Sequence, residues 1–298
     1  MSKDKLLSKA RAKYLSKNFA LKLHEANKTS IIAKSYRNTF YCCNEMYDHE
    51  GMLKSKYCKN RWCAVCNRIR TAQIMNRYIT QLAPFDEPMF VTLTLPTVHQ
   101  NHLSRRINLM GKEWSRIIDV TRRKPFERLG IKRPIGIRKS ECTARPGNRC
   151  HFHYHLIVDG ADTASWIHNQ WLDRFPAANR KAQDVRPADE RSLKELFKYF
   201  SKVTYKGKLG DLRTLDAIFR GMRGKRVYQP FGGLKMAPEE ITDDLIKKLE
   251  KPKHIDGMIF RWNDEMTDWI SEYGELLTNY RPSERLKRFF DDREGNII

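Results

Sequence analysis

No stretch of the chain approaches the ~18 consecutive apolar residues that a membrane-spanning helix needs. The opening Met1-Ser2-Lys3-Asp4-Lys5 lacks the apolar centre of a signal peptide, so the reducing cytoplasm is the expected compartment and no membrane partner is expected. Neither an internal repeat nor a long low-complexity linker interrupts the sequence, which argues against a solenoid and against separate tethered modules. Acidic residues are in the minority: Asp+Glu 35 against Lys+Arg 57 leaves a formal charge of +22. That charge attracts polyanions, and binding to phosphates should weaken steeply with salt through counterion release. Charge alone does not name the partner, because ribosomal and membrane-surface proteins share it. What is present suffices for a core, with 40% hydrophobic and 11% aromatic residues in 298. Seven cysteines in a reducing compartment suggest metal binding, or nothing, rather than disulfides.

Residues 1 to about 38 are basic with scattered apolar positions and read as one or two helices. A turn-rich cysteine patch from Tyr41 to Cys66 leads into a helix over Arg68 to Leu82, ended by Pro84. Met89 to Leu95 reads as a buried strand, and Leu103, Ile107, Met110, Trp114, Ile117 and Ile118 follow helical spacing. Ile135 to Thr143 and His151 to Val158 are strands joined through Pro146-Gly147-Asn148 as a hairpin. A helix over 163–174, a short strand Ala182 to Pro187 and an amphipathic helix Ser192 to Val203 follow, then a Gly-rich basic segment through Gly232-Gly233. This order predicts an α+β fold: an antiparallel, ferredoxin-like sheet with helices on one face. The expected divisions are a basic helical segment with a Cys-rich, zinc-type lobe (1–84), a central domain (85–236) and a helical C-terminal tail (237–298).

The run His151-Phe152-His153-Tyr154-His155 carries the most chemistry. On a strand the three imidazoles share one face while Phe152 and Tyr154 take the other, and neutral imidazole is the commonest ligand for a divalent cation. If the turn centres on residue 147, Glu141 lies opposite His153 with its carboxylate on the same face, as a ligand or as a solvated edge charge. On the helix after Ser192, Glu195, Tyr199 and Lys202 fall on one face, which is either an ordinary amphipathic surface or a phenol nucleophile beside a base and a cation. Cys58-x4-Cys63-x2-Cys66 has the spacing of a thiolate zinc knuckle. Cys43 is the first choice for its fourth ligand, Cys42 the next and His49 the third. Lys59, Arg61, Trp62, Arg68 and Arg70 would make that lobe a phosphate-binding surface with an aromatic for base stacking.

Taken in order, Phe90-Val91-Thr92-Leu93-Thr94, His151-Phe152-His153-Tyr154-His155 and Lys198-Tyr199-Phe200-Ser201-Lys202 resemble the HUH endonucleases. The closest likeness is to the single-tyrosine replication initiators (Rep proteins) of rolling-circle plasmids. Tyr57 to Asn67 and Gly224 to Leu234 add to a resemblance covering about residues 40 to 235. It implies that the central domain is an HUH endonuclease that binds a double-strand origin and nicks one strand in a single-stranded loop. Tyr199 would be joined to the 5′ phosphate, leaving a 3′-OH for a host polymerase. Carried over by position, Tyr199 is the nucleophile and His153 and His155 the metal histidines. Glu141 is the acidic ligand, Glu195 the activator of water or of a second attack, and Lys202 the accompanying lysine. His151 is a further ligand or a neighbour. The ion implied is Mn²⁺ or Mg²⁺, with structural Zn²⁺ in the cysteine lobe. No G-x-x-x-x-G-K-S/T motif is present, so unwinding falls to a host helicase. A transposase or a relaxase would use the same chemistry, and a non-catalytic zinc-containing DNA-binding regulator would use none of it.

Overall fold

The computed structural model of the chain describes residues 3–49, 52–197, 201–202, 204–205, 208–235 and 257–291. Contacts divide the chain into two units, Met1–Ala72 with Pro238–Ile298, and Gln73–Ala237.

In the first unit, helices α1 (Lys3–Ala26) and α2 (Ala33–Phe40) precede strands β1 (Glu45–His49) and β2 (Met52–Ser55). The C-terminal stretch returns to pair with them. Two strands there, Ile259–Asn263 and Asp268–Ser271, complete a four-stranded sheet in which the first of them runs antiparallel to β1, Met46 opposite Phe260. The helix expected of the tail lies at Glu284–Asp291. Those strands had no strand signal in a polar sequence; Trp262 and Trp269, packed 4.9 Å apart, fill the core they create. Helix α3 (Ala64–Leu82) starts earlier than its apolar pattern indicates. Ser16 of α1 accepts hydrogen bonds from the Ala64 and Val65 amides at 2.9 and 3.4 Å, capping the first turn from outside the local sequence.

The second unit is built on a seven-stranded sheet among the described residues. Strand β3 (Pro88–Thr94) pairs with β6 (Arg149–Asp159), which pairs with β5 (Gly136–Arg145). The even-numbered side chains of β6 pack under two helices: Tyr154 meets Trp114 of α4 (Leu103–Thr121) and Trp171 of α5 (Ala161–Arg174), at centroid distances of 6.2 and 5.8 Å. All six apolar positions read as the inner face of α4 are buried. The antiparallel α+β reading holds, with one difference: helices are not confined to one face. Ile157, Ile137 and Phe90, on the histidine side, cluster with Leu196 and Phe197 of α6 (Glu190–Phe197) and with Tyr78 and Leu82 of α3.

A second difference concerns the helix expected to reach Val203. Helix α6 ends at Phe197 among the described residues, and Ser201–Lys202 form a short strand, β8, parallel to β5. Strand Tyr228–Phe231 pairs only with Gly136–Lys139, so β5 has a bare edge beyond it, and β8 pairs there with Cys142 and Thr143. Lys202 is therefore not on one helix face with Glu195.

The Gly232-Gly233 pair closes the turn after Tyr228–Phe231. Gly232 has φ 71°, and a Cβ there would stand 2.0 Å from the Pro134 carbonyl oxygen. Gly232→Ala is expected to lower unfolding free energy by about 2–3 kcal/mol, through left-handed strain and a backbone clash. Gly111→Ala, inside α4 with nothing within 4 Å of the new methyl, should raise it by about 0.5–1 kcal/mol. Urea denaturation of the two variants checks both signs.

Candidate functional site: two metal-binding side-chain groups

The β5–β6 turn is a three-residue loop. Arg145 pairs with Arg149, while Gly147 and Asn148, residue types that accept left-handed backbone, carry φ 73° and 54°. The register that follows sets Glu141 opposite His153 and Lys139 opposite His155. Alternation then brings all four side chains to one face. Glu141, His153 and His155 are buried and offer ligand atoms within 4.8 Å of one another. The Nε2 atoms of His153 and His155 lie 3.7 and 3.8 Å from the two Glu141 carboxylate oxygens.

The ring nitrogens away from the carboxylate are held by the protein. His153 Nδ1 donates to the His151 carbonyl at 3.2 Å; a carbonyl only accepts, so the proton is on Nδ1 and the Nε2 lone pair faces Glu141. His155 Nδ1 lies 3.1 Å from Thr92 Oγ1, and Phe90 stacks on the same ring at 5.4 Å. His151 is turned elsewhere: its Nε2 sits 2.9 Å from Thr94 Oγ1, and its ring stacks on His153 at 5.1 Å. It is a neighbour of the group, not a member.

Lys139 is a component that the sequence reading did not single out. Its ammonium is fully buried, donates to Glu141 Oε2 at 2.7 Å, and donates to the Glu195 carbonyl at 3.1 Å. Burial pushes the Glu141 carboxyl up, but Lys139 and then the imidazoles outweigh it and hold the group below the ordinary carboxylate range. Burial, then the neighbouring imidazole, lowers His153 to about 4, and His151 is lowered to about 4 by burial and by His153. The result is a carboxylate beside His153, whose imidazole is neutral at neutral pH, with the His155 imidazole next to it. That donor set fits a divalent cation with open positions for oxygen ligands. Lys139 also ties the backbone of α6 to the group, which places half-buried Glu195 on a helix beside it. Tyr199 lies outside the described residues, as does the side chain of Lys202.

The second group forms around Cys42, Cys58, Cys63 and Cys66, again within 4.8 Å. Cys42, not Cys43, is the fourth member. Cys43 takes a left-handed φ of 56°, which sends its thiol away to Met46 Sδ at 3.6 Å. His49 was the third alternative, and its side chain lies outside the described residues. The Sγ atoms of Cys42 and Cys66 are 3.5 Å apart, and those of Cys58 and Cys66 3.7 Å. Thiolates at ~2.3 Å around a tetrahedral metal stand roughly 3.7–3.8 Å apart, so the set fits such an ion. Burial opposes ionisation of Cys58, but hydrogen bonds from the other three thiols and from Thr39 bring it well below the usual thiol range, while Cys42 is pushed well above it. Buried Lys13 donates to the Cys42 carbonyl at 2.8 Å, a cation set beside the thiols. Cys142 and Cys150 are buried thiols on the hairpin, outside both groups.

Of the residues read as a phosphate-binding surface, Trp62 is half-buried and meets Tyr36 edge-on at 5.0 Å. Arg68 is exposed and its guanidinium donates to the Ser8 carbonyl; Lys59, Arg61 and Arg70 are partly buried.

Residues 50–170 match the model of a family described as replication protein, the family of rolling-circle plasmid initiators. No curated protein and no solved structure matches the chain. The matched segment contains Cys58, Cys63 and Cys66 and the whole Glu141–His153–His155 group. Among the described residues, no helix is long and apolar enough to cross a membrane.

Two expectations test these groups. Cys42→Ser should abolish metal retention at the thiol group and Cys43→Ser should leave it intact, as read by metal analysis of the dialysed protein. For the imidazoles, a folded pKa of about 4 against an ordinary 6.5 means that the unfolded chain takes up the proton first. Stability should therefore fall as pH drops from about 6.5 to about 4, with His153 contributing about 3 kcal/mol. In unfolding titrations without added divalent ion, His153→Gln should flatten that slope; an unchanged slope contradicts the buried neutral imidazole.

Proposed function

We propose that the chain is a plasmid replication initiator that nicks one strand of its origin by tyrosine transesterification. The observation that carries this reading is the Glu141–His153–His155 group, buried on one strand pair inside the segment that matches replication proteins. That match favours an initiator over a transposase or a relaxase with the same chemistry, and a donor set of this kind is not needed by a regulator that only binds DNA.

In this reading residues 85–236 form the HUH endonuclease domain. The Tyr199 phenol oxygen attacks the scissile phosphorus, the bond to the 3′ oxygen breaks, and the strand leaves a free 3′-OH while its 5′ phosphate stays on the tyrosine. Glu141, His153 and His155 would hold a divalent ion, Mn²⁺ or Mg²⁺, which when bound would supply Lewis-acid polarisation of that phosphate. Mn²⁺ suits the two imidazoles better. Tyr199 stands two residues before Ser201, which pairs with Cys142, the neighbour of Glu141. Short chain distance thus supports its access to the group. A phenol is a weak nucleophile near its ordinary pKa of ~10, so Glu195 serves as the base that takes the proton, and Lys202 offsets the developing charge. The four-cysteine group would hold structural zinc, and Lys59, Arg61, Trp62, Arg68 and Arg70 form a contact surface for origin DNA. Strand separation and extension fall to a host helicase and polymerase.

Incubation with single-stranded origin oligonucleotides and Mn²⁺ should give a covalent protein–DNA adduct whose mass maps to Tyr199. Tyr199→Phe should lose the adduct and the nick while binding DNA with wild-type affinity. His153→Ala with His155→Ala should lose cleavage in Mn²⁺. Nicking by the Tyr199→Phe protein would overturn the assignment.

A further inference from the structure

On the opposite face of the same strand pair lies a separate cavity of about 350 Å³, within the ~300–1,000 Å³ range of small-ligand sites. Alternation along β5 and β6 turns Arg138, Ser140, Phe152 and Tyr154 to this side, away from Glu141 and the histidines. Asn108 and Ile107 of α4 form another wall. The rim is Gly224 to Gln229, the segment after helix Leu212–Gly221 to which the metal chemistry gives no role.

Three cations, Arg138, Lys225 and Arg226, line the cavity, and no carboxylate does. Arg138 is the least accommodated of them. Its side chain is 6% exposed and its guanidinium lies over the Tyr154 and Trp114 rings, at 4.1 and 5.2 Å. Gln229 Oε1 accepts from one terminal nitrogen. Nε and the other terminal nitrogen have no hydrogen-bond partner among the described residues. Guanidinium cannot shed its charge at physiological pH, and buried N–H donors left unmet cost about 1–3 kcal/mol or more. A buried arginine without a carboxylate, in a cationic cavity, is matched by an anion from outside the chain. Ile107, Phe152 and Met222 give the lining an apolar side, which a bare inorganic anion would not contact favourably.

We propose that this cavity is a phosphate-binding pocket for one nucleotide unit, separate from the metal group and back to back with it across the sheet. Arg138 binds the phosphate from within, Lys225 and Arg226 bind it from the rim, and the apolar patch takes the nucleoside. The phosphate belongs either to a free nucleotide or to a DNA strand. Because binding is measured without divalent ion, the pocket does not depend on the nicking reading.

Deoxythymidine monophosphate and, as its phosphate-free counterpart, thymidine are titrated calorimetrically into the full chain; a labelled short oligothymidylate is followed by anisotropy. Lys225→Gln with Arg226→Gln, both exposed positions, should weaken binding about tenfold. Arg180→Gln with Lys181→Gln removes equal charge from an exposed turn outside the cavity and should change it much less. Arg138→Met should abolish binding while melting no lower than wild type, as expected when a buried, unmatched charge is replaced by an apolar side chain; if that variant fails to fold, the rim pair decides. A loss confined to the monophosphate identifies a free nucleotide, and a loss in oligothymidylate binding without monophosphate binding identifies a strand phosphate. Either supports the pocket. Equal binding of thymidine, equal losses in the two double variants, or no binding of either phosphate ligand overturns it.

Discussion

The pairing register of β5 with β6 is the constraint on which both faces of the central sheet depend. It is closed by a three-residue loop whose left-handed positions fall on Gly147 and Asn148, and it sets Glu141 against His153. Side chains alternate with a period of two, so a slip of one residue would carry Lys139 and Glu141 to the aromatic side and bring Arg138 and Ser140 among the histidines. Such a slip would strand charges and remove aromatics from a core. Tyr154, fixed between Trp114 and Trp171, and Ile157, fixed against Phe90, hold the strand from opposite sides. The Glu141–His153–His155 group and the Arg138 cavity are thus two consequences of one hydrogen-bond ladder.

Within that frame the buried Lys139–Glu141 pair has an electrostatic role beyond packing. Taking two charges out of water is costly, and breaking such a pair from one side typically costs about 3–5 kcal/mol. The pair keeps a carboxylate ionised beside His153, which burial keeps neutral, and that is the protonation state a cation needs from such ligands. Its second bond, to the Glu195 carbonyl, makes the position of α6 depend on the same charge. Helix α6 could not be set beside the histidines by its apolar face alone with this accuracy, because hydrophobic burial is non-directional and a 3.1 Å hydrogen bond is not.

The thiol group follows a parallel logic with different chemistry. Cys42 sits between α2 and β1, and Cys66 on the opening turn of α3, which a hydroxyl of α1 caps. Lys13 donates to the carbonyls of Phe40 and Cys42, so the loop carrying Cys42 is pinned by a buried cation. Burial lowers that lysine to about 8 while the nearby thiols pull it back, which leaves it charged at neutral pH. Each group thus has a buried lysine that holds a ligand-bearing segment in place.

Much of this was legible in the sequence because it rests on local periodicity. Alternation placed the histidines on one face, Pro146-Gly147-Asn148 centred the turn and so paired Glu141 with His153, and helical spacing identified the buried face of α4. What was not legible depended on residues distant in the chain. Cys42 and Cys43 are adjacent and chemically identical, and a left-handed backbone at Cys43 chose between them. Lys202 followed an amphipathic helical pattern but lies in a strand, because the edge of β5 beyond Lys139 had backbone groups to pair. The strand Ile259–Asn263 exists by pairing with β1, more than two hundred residues earlier, and Asp268–Ser271 pairs in turn with it. Lys139 and Arg138 had no role assigned from the sequence, and only the packed sheet reveals that one neutralises a buried carboxylate while the other lines a cavity. Local sequence determines which face a side chain takes, through backbone geometry alone. Tertiary structure decides what that face meets, because partners for buried charge come from elements that sequence spacing does not connect.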